Sequence, residues 1–249
     1  MNPREYEIMY AVEDRHWWYV ALRAMLDLFW RKHVTMRNAE SASRDLKVLD
    51  AGCGTGGTLS RLAPRGTPFG IDVSVDAVRL CRARGQTRTA VGSTNALPCA
   101  PETFDAVISF DVLYHKGVPD KKAALREMHR ALKPGGLLFL NLPAYQWLYS
   151  SHDVAIHTDH RFTRSEVLGL LRACSFEPLD ATYWNTLLLP PIVLTRLWRR
   201  MMSPPDSDLA RGSGIPNQLF ARILAVERAL VRVVPLPFGL SIFAVSRKT

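Results

Sequence analysis

The stretch that decides the fold is KVLDAGCGTGG, residues Lys47 to Gly57. Val48 and Leu49 make the apolar run of a buried strand, and the glycines after them predict a tight turn that leads into a helix. Glycine lets the backbone come close to a ligand, and the amide groups at a helix N-terminus point toward the same place. The stretch therefore predicts a strand, a ligand-binding turn and a helix, in that order.

The glycine spacing alone does not identify the ligand. Gly52, Gly54 and Gly57 also satisfy the fingerprint of dinucleotide-binding proteins, in which the third glycine packs the helix on the strand. An NAD(P)-linked oxidoreductase or epimerase is therefore an alternative. Asp50 argues against it, because a carboxylate at the carboxyl end of the strand repels a pyrophosphate and attracts a ligand that carries positive charge.

Asp50 and the glycines at 52, 54 and 56 match the pattern Asp/Glu-x-Gly-x-Gly-x-Gly in full. This pattern is the first motif of the class I S-adenosylmethionine-dependent methyltransferases, which the sequence therefore resembles. The resemblance implies S-adenosyl-L-methionine as the methyl donor and S-adenosyl-L-homocysteine as the product, with no metal ion.

Further segments match the same family in the order that it requires. Asp72 ends an apolar segment, and in this family an acid at this spacing typically accepts the ribose hydroxyls of the cofactor. Leu97 and Pro98, followed by Phe104 to Ser109, resemble the segments around the family's fourth strand. Lys133 to Gly136 resembles the turn before its fifth strand. These ordered matches make the resemblance much more specific than the glycine turn alone.

The resemblance implies a cofactor site made of residues that follow the strands and of an N-terminal helix. Ser93 and Thr94 would hold adenine by neutral hydrogen bonds, because the acid that family members commonly place after the third strand is missing. Trp18 and Arg23 would reach the cofactor from a helix that covers it as a lid, although a helix packed on the sheet edge explains the same apolar pattern. The predicted cofactor-binding residues are Trp18, Arg23, Asp50, Gly52, Cys53, Gly54, Asp72, Val73, Ser93, Thr94 and Phe110.

The fold class that the resemblance implies is α/β, a Rossmann-like doubly wound sheet of seven strands with the last strand antiparallel. Residues 1–45 are expected to form a helical lid and a linker, and residues 46–184 the cofactor-binding core. Residues 185–239 would be a helical insertion that caps the substrate, and residues 240–249 the final strand. This last strand is expected to insert between strands five and six.

Three histidines are candidates for the base that removes a proton from the acceptor. His115 follows the fourth strand, where a doubly wound sheet has its crevice, and His152 and His157 follow the fifth. Imidazole can act as a general base near neutral pH. The alternative is that these histidines only brace a loop. A metal centre is not expected, because the spacing of the histidines and aspartates matches no common zinc pattern.

The composition restricts the compartment and the partners. Four cysteines without paired or metal-ligand spacing favour reduced thiols in a cytoplasmic protein. No apolar run approaches the length of a membrane-spanning helix. The net charge of +9 is compatible with an anionic partner. Nucleic acid is disfavoured, because the basic residues form no dense patch interleaved with aromatic residues.

The segment from residue 187 to 202 predicts the class of acceptor. It joins an apolar run to Trp198, Arg199 and Arg200, a combination that suits the surface of an anionic membrane. We therefore expect a biosynthetic methyltransferase that acts on a small-molecule or lipid-linked acceptor, with oxygen as the favoured atom and peripheral membrane contact through this segment. A module that binds the cofactor without transferring methyl is an alternative, and the sequence leaves the oligomeric state open.

Overall fold

The computed structural model describes residues 3–35, 45–194 and 215–249. Parts of the predicted linker and of the predicted insertion, including residues 195–202 of the proposed membrane segment, lie outside these ranges. The strands within them are β1 Lys47–Ala51, β2 Thr67–Asp72, β3 Thr89–Val91, β4 Phe104–Phe110, β5 Leu132–Pro143, β6 Phe176–Trp184 and β7 Ser241–Lys248.

These strands form one sheet with the order β3-β2-β1-β4-β5-β7-β6. Strands β1 to β5 pair in parallel, and β7 pairs antiparallel with both β5 and β6. The predicted fold class is therefore confirmed, including the insertion of the last strand between the fifth and the sixth.

Helices precede the sheet and connect its strands. Their bounds are α1 Pro3–Val12, α2 Trp17–Trp30, α3 Gly57–Leu62, α4 Val75–Ala83, α5 Lys121–Ala131, α6 Ser151–Ala155, α7 Arg164–Ala173, α8 at residues 189–194 and α9 Ile215–Val231. A capping box starts α7, because the Thr163 hydroxyl accepts from the amide of Glu166 while the Glu166 carboxylate accepts from the amide of Thr163.

Side chains alternate between two cores on opposite faces of the sheet. On β5, Leu138 and Leu140 pack into the first core, and Leu137 and Phe139 pack into the second. Helices α5 and α7 cover the first core, whereas α2 and α9 cover the second. Helices α7 and α9 therefore lie on opposite sides of the molecule.

The N-terminal region differs from the single covering helix expected within residues 1–45, because the structure contains α1 and α2. Glu13 turns inward at the break and accepts a hydrogen bond from the hydroxyl of Thr55. The side chain of His16 then caps α2 by accepting from a backbone amide of its first turn. A buried polar contact and a new N-cap thus outweigh a continuous helix.

Candidate functional site

Gly52 makes the turn after β1 possible. Its φ of 102° is a left-handed conformation that favours glycine, and a Cβ on it would overlap the Cγ2 methyl of Val112. Gly54 and Gly56 also have positive φ values, 52° and 89°. The turn therefore approaches the residues that follow β4 so closely that no side chain fits between them.

Asp50 lies near the carboxyl end of β1, buried beside this turn with 3% of its surface exposed. Burial, followed by the neighbouring charges of Asp72 and Glu13, raises the pKa of Asp50 to about 8. The charged groups that cause this shift are themselves acids. The site therefore disfavours additional negative charge and favours a cation.

Asp72 ends β2 and faces the same turn. Its Oδ2 accepts from the amide of Gly54 at 2.9 Å. Its Oδ1 accepts from the amide of Ser74 at 2.9 Å and from the hydroxyl of Tyr6 at 3.2 Å. Burial raises the pKa of Asp72 although these hydrogen bonds oppose the shift. The contact with Tyr6 places Oδ1 where it can accept from a hydroxyl group.

Helix α1 covers the glycine turn. The Cε atom of Met9 is 2.7 Å from the position that a Cβ on Gly54 would take. Glu13, just past the end of α1, is buried and pairs with Arg84 at 2.8 Å, and burial raises its pKa. No local pattern in the sequence signals Tyr6, Met9 and Glu13, because their approach to the turn depends on how α1 packs.

The two predicted lid residues, Trp18 and Arg23, both lie on α2 but contact different parts of the molecule. Arg23 donates to the carbonyl of Glu13 at 2.7 Å, and its Nη1 is 3.0 Å from where a Cβ on Gly57 would stand. Trp18 stacks on Trp184 with ring centroids 6.3 Å apart. The structure therefore brings Arg23 to the glycine turn and packs Trp18 against the second core.

The remaining predicted cofactor residues gather at the carboxyl edge of the sheet. Cys53 is buried within the glycine turn, and Val73 is exposed just after β2. Ser93 is half-buried and Thr94 buried in the loop after β3, while Phe110 ends β4 half-buried. A ligand that lies across this edge could therefore meet residues from four neighbouring strands.

Asp111 is a candidate that the sequence analysis did not select. It follows β4 with a φ of 55°, which is uncommon for a residue other than glycine. The Asp111 amide donates to the carbonyl of Asn141, and Nδ2 of Asn141 donates to Oδ2 of Asp111, both at 2.9 Å. The indole of Trp184 in turn donates to Oδ1 of Asn141 at 2.8 Å. The carboxylate is thus oriented from β5 and β6, and burial raises its pKa to about 7.

Two of the histidines predicted as bases lie together. The ring centroids of His115 and His157 are 5.9 Å apart, and Nδ1 of His115 accepts from the amide of Gly117 at 3.0 Å. Burial is the main cause that lowers the pKa of His115 to about 4. The side chain of His152 lies outside the described part of the structure. His115 is therefore neutral at pH 7 but a weak base.

The residues of this edge fit S-adenosylmethionine. A glycine cradle that a Cβ would fill lies beside two buried acids, Asp50 and Asp72. An ammonium group would stabilise the carboxylate of Asp50, and ribose hydroxyls could donate to Asp72, which already accepts from a hydroxyl. Within residues 3–35, 45–194 and 215–249, no three His, Cys, Asp or Glu side chains are grouped so as to hold a metal ion.

A family model and two curated relatives that this chain matches are methyltransferases. Residues 48–136 match the family described as Methyltransferase domain. The ubiquinone biosynthesis O-methyltransferase of Idiomarina loihiensis is 30% identical over 166 residues, which cover 59% of this chain and 66% of that protein. The tRNA (carboxymethyluridine(34)-5-O)-methyltransferase of Arabidopsis thaliana is 33% identical over 120 residues, which cover 48% of this chain and 28% of that protein.

A solved structure supports the fold. The S-adenosylmethionine dependent methyltransferase of Mesorhizobium loti aligns with 95% of this chain and 100% of its own, with a TM-score of 0.60 at 17% identity. The chain spans less than two thirds of the length of either curated relative. The domain match covers the glycine turn and the strands that carry both acids, and the sheet order is the one that the first motif implied. Residues 48–136 are therefore a methyltransferase domain, and the chain has the fold of the S-adenosylmethionine-dependent methyltransferases.

Proposed function

We propose that this protein transfers a methyl group from S-adenosylmethionine to an oxygen atom of a small-molecule or lipid-linked acceptor. The observation that carries the proposal is the pair of buried acids, Asp50 and Asp72, beside the glycine turn. Their raised pKa values mark a site that a cation would complete, whereas a dinucleotide would add negative charge. When bound, the cofactor supplies an activated methyl group.

Each polar residue at the turn has a separate role in this proposal. Asp50 would pair with the ammonium group, and Asp72 would accept ribose hydroxyls with the oxygen that already accepts from a hydroxyl group. Arg23 would pair with the methionine carboxylate, since its guanidinium lies beside the turn. Ser93 and Thr94 would hold the adenine ring. Helix α1 would exclude water from the bound donor, because it lies directly on the turn.

The proton of an acceptor hydroxyl would leave to Asp111. Its pKa of about 7 suits a base that works near neutral pH, and Asn141 holds its carboxylate in one orientation. The predicted bases His115, His152 and His157 are the alternative. The low pKa of His115 makes it the weaker base, although its ring could still bind the acceptor oxygen.

The acceptor class rests on the segment after β6. Leu187 and Leu194 are exposed at the start of the predicted insertion, which follows the carboxyl end of β6, and exposed leucines there favour an apolar acceptor. The relative from Idiomarina loihiensis is named for an O-methyltransferase of ubiquinone biosynthesis, which supports both an apolar acceptor and oxygen as the atom methylated. The arginines of residues 196–200, predicted to contact a membrane, lie outside the described residues.

Mass spectrometry of small molecules released from the purified protein tests the proposal directly. Adenosylhomocysteine or adenosylmethionine should copurify, and an apolar hydroxylated acceptor should be enriched with it. Calorimetric titration of Asp50→Asn and Asp72→Asn should show adenosylmethionine affinity reduced by at least about tenfold, or 1.4 kcal/mol. Tighter binding of NAD than of adenosylhomocysteine would reject the cofactor and the function together.

A further inference from the structure

Helix α9 is apolar on its solvent side as well as on the side that packs in the second core. Leu219, Val226 and Leu230 are 53%, 61% and 47% exposed, and Val233, just after the helix, is 86% exposed. At about 100° per residue these four side chains fall within a sector of about 60°. We call them the outer face of α9. Exposed apolar side chains that are grouped in one sector of a helix indicate a surface that a partner covers.

The accessible charges of the segment that carries the outer face are positive. Between residues 215 and 240 the sequence contains one acid, Glu227, and three arginines, Arg222, Arg228 and Arg232. Glu227 is buried, and its carboxylate accepts hydrogen bonds from two backbone amides of the segment after β6. Arg222 and Arg232 are exposed, and Arg228 is half-buried. This segment therefore presents apolar side chains and cations to its surroundings, with no accessible acid of its own.

We propose that the outer face of α9 rests on the surface of an anionic lipid membrane. Its apolar side chains would enter the boundary between headgroups and acyl chains, and its arginines would pair with lipid phosphates. A second protein chain could cover the apolar side chains, but it would give no role to the exposed arginines of the same segment. A lipid bilayer that contains anionic headgroups satisfies both features at once.

The contact would be peripheral. Among the described helices, none is long and apolar enough to cross a bilayer. The contact lies on α9 and is separate from the one predicted for residues 187–202, part of which lies outside the described residues. It does not depend on the cofactor or on the identity of the acceptor, because it rests only on the exposure and charge of α9.

Cosedimentation with lipid vesicles tests the proposal. The full-length protein should bind vesicles of phosphatidylcholine and phosphatidylglycerol, bind phosphatidylcholine alone more weakly, and lose the difference as salt is raised. Each arginine near an anionic surface contributes about 1 kcal/mol, or about fivefold in partitioning. Arg222→Glu/Arg232→Glu should therefore lower binding by at least roughly 25-fold. Val226→Glu should lower it too, because it places a charge within the apolar sector.

Matched variants separate this surface from general effects. Val226→Leu keeps the outer face apolar and should bind as well as the wild type. Arg126→Glu/Arg172→Glu removes two exposed arginines from α5 and α7, on the opposite side of the molecule, and should change vesicle binding much less than the pair on α9. All these side chains are exposed, so thermal unfolding should confirm that the variants remain folded.

Three results would overturn the proposal. The first is no association with anionic vesicles at low salt. The second is an equal loss of binding in the α5–α7 control pair, which would show that net charge alone is responsible. The third is a concentration-dependent dimer that Val226→Glu dissociates without any vesicle binding, because the occupant would then be a second copy. Asp50→Asn should bind vesicles normally, so failure of the cofactor proposal would be seen separately.

Discussion

Replacing Asp50 by asparagine should uncouple cofactor binding from pH. The pKa of Asp50 in the ligand-free protein is about 8, because the group is buried beside two other acids. At pH 7 this carboxyl group is therefore mostly protonated, and ionising it costs about 1.4 kcal/mol for one pKa unit. The ammonium group of the cofactor favours the ionised form, so binding should release this proton.

The magnitude follows from that shift. The affinity of the wild-type protein for adenosylmethionine should rise by up to about tenfold per pH unit below pH 8 and then level off. Asparagine has nearly the same shape but does not ionise, so the variant should lack this part of the slope. At pH 8 the variant should bind at least about tenfold more weakly, because it offers no charge to the ammonium group.

Titration calorimetry in phosphate and in Tris measures the proton directly, because the two buffers differ in their heat of ionisation. The wild type should release close to one proton more than Asp50→Asn near pH 7. Asp72 and Glu13 also have raised pKa values, but both proteins contain them, so the difference isolates Asp50. Glu177 is exposed on β6, away from the turn. Glu177→Gln is therefore the control, and its proton release and affinity should equal those of the wild type.

Equal proton release and equal pH dependence in wild type and Asp50→Asn would refute this reasoning. Asp50 would then remain protonated in the complex, and its burial would serve the fold alone. A loss of affinity without a change in proton release would also show that Asp50 forms no ion pair with the ammonium group of the cofactor.

Asp50→Asn should also change the stability of the ligand-free protein. A carboxyl group whose pKa is raised on folding stabilises the protein below its unfolded pKa and loses that contribution as the pH rises through about 8. The free energy of unfolding of the wild type should therefore fall relative to that of the variant between pH 4 and pH 8. A difference that stays constant in urea unfolding over this range would contradict this. Gly52→Ala should destabilise the protein more than Gly85→Ala. At both positions φ is positive, which costs alanine about 1–2 kcal/mol, but only at Gly52 would the added Cβ also overlap a side chain. Equal losses in urea unfolding would mean that backbone strain alone is responsible. Asp111→Asn should lower kcat on the copurified acceptor by roughly 10²–10⁴-fold with unchanged cofactor affinity and remove a pH limb near 7. Turnover close to that of the wild type would return the role of base to the histidines.

The sequence by itself determined the elements whose signals are local. The glycine turn is readable because Gly52, Gly54 and Gly56 adopt positive φ values that other residues avoid. The start of α7 is readable because Thr163 and Glu166 cap the helix within one turn. The family resemblance extended these local signals to the sheet order, which the pairing of β7 with β5 and β6 confirms.

Only the tertiary structure decided what surrounds the turn. Tyr6 reaches Asp72 across 66 positions of sequence, and Trp184 orients Asn141 across 43. Such contacts arise when separate elements pack together, so no local pattern announces them. The same holds for the pKa of Asp111, because burial raises it and burial is a property of the assembled fold. The sequence could therefore indicate Asp50, Asp72 and the histidines, but only packing revealed Asp111 and gave Asp50 and Asp111 pKa values near neutral pH.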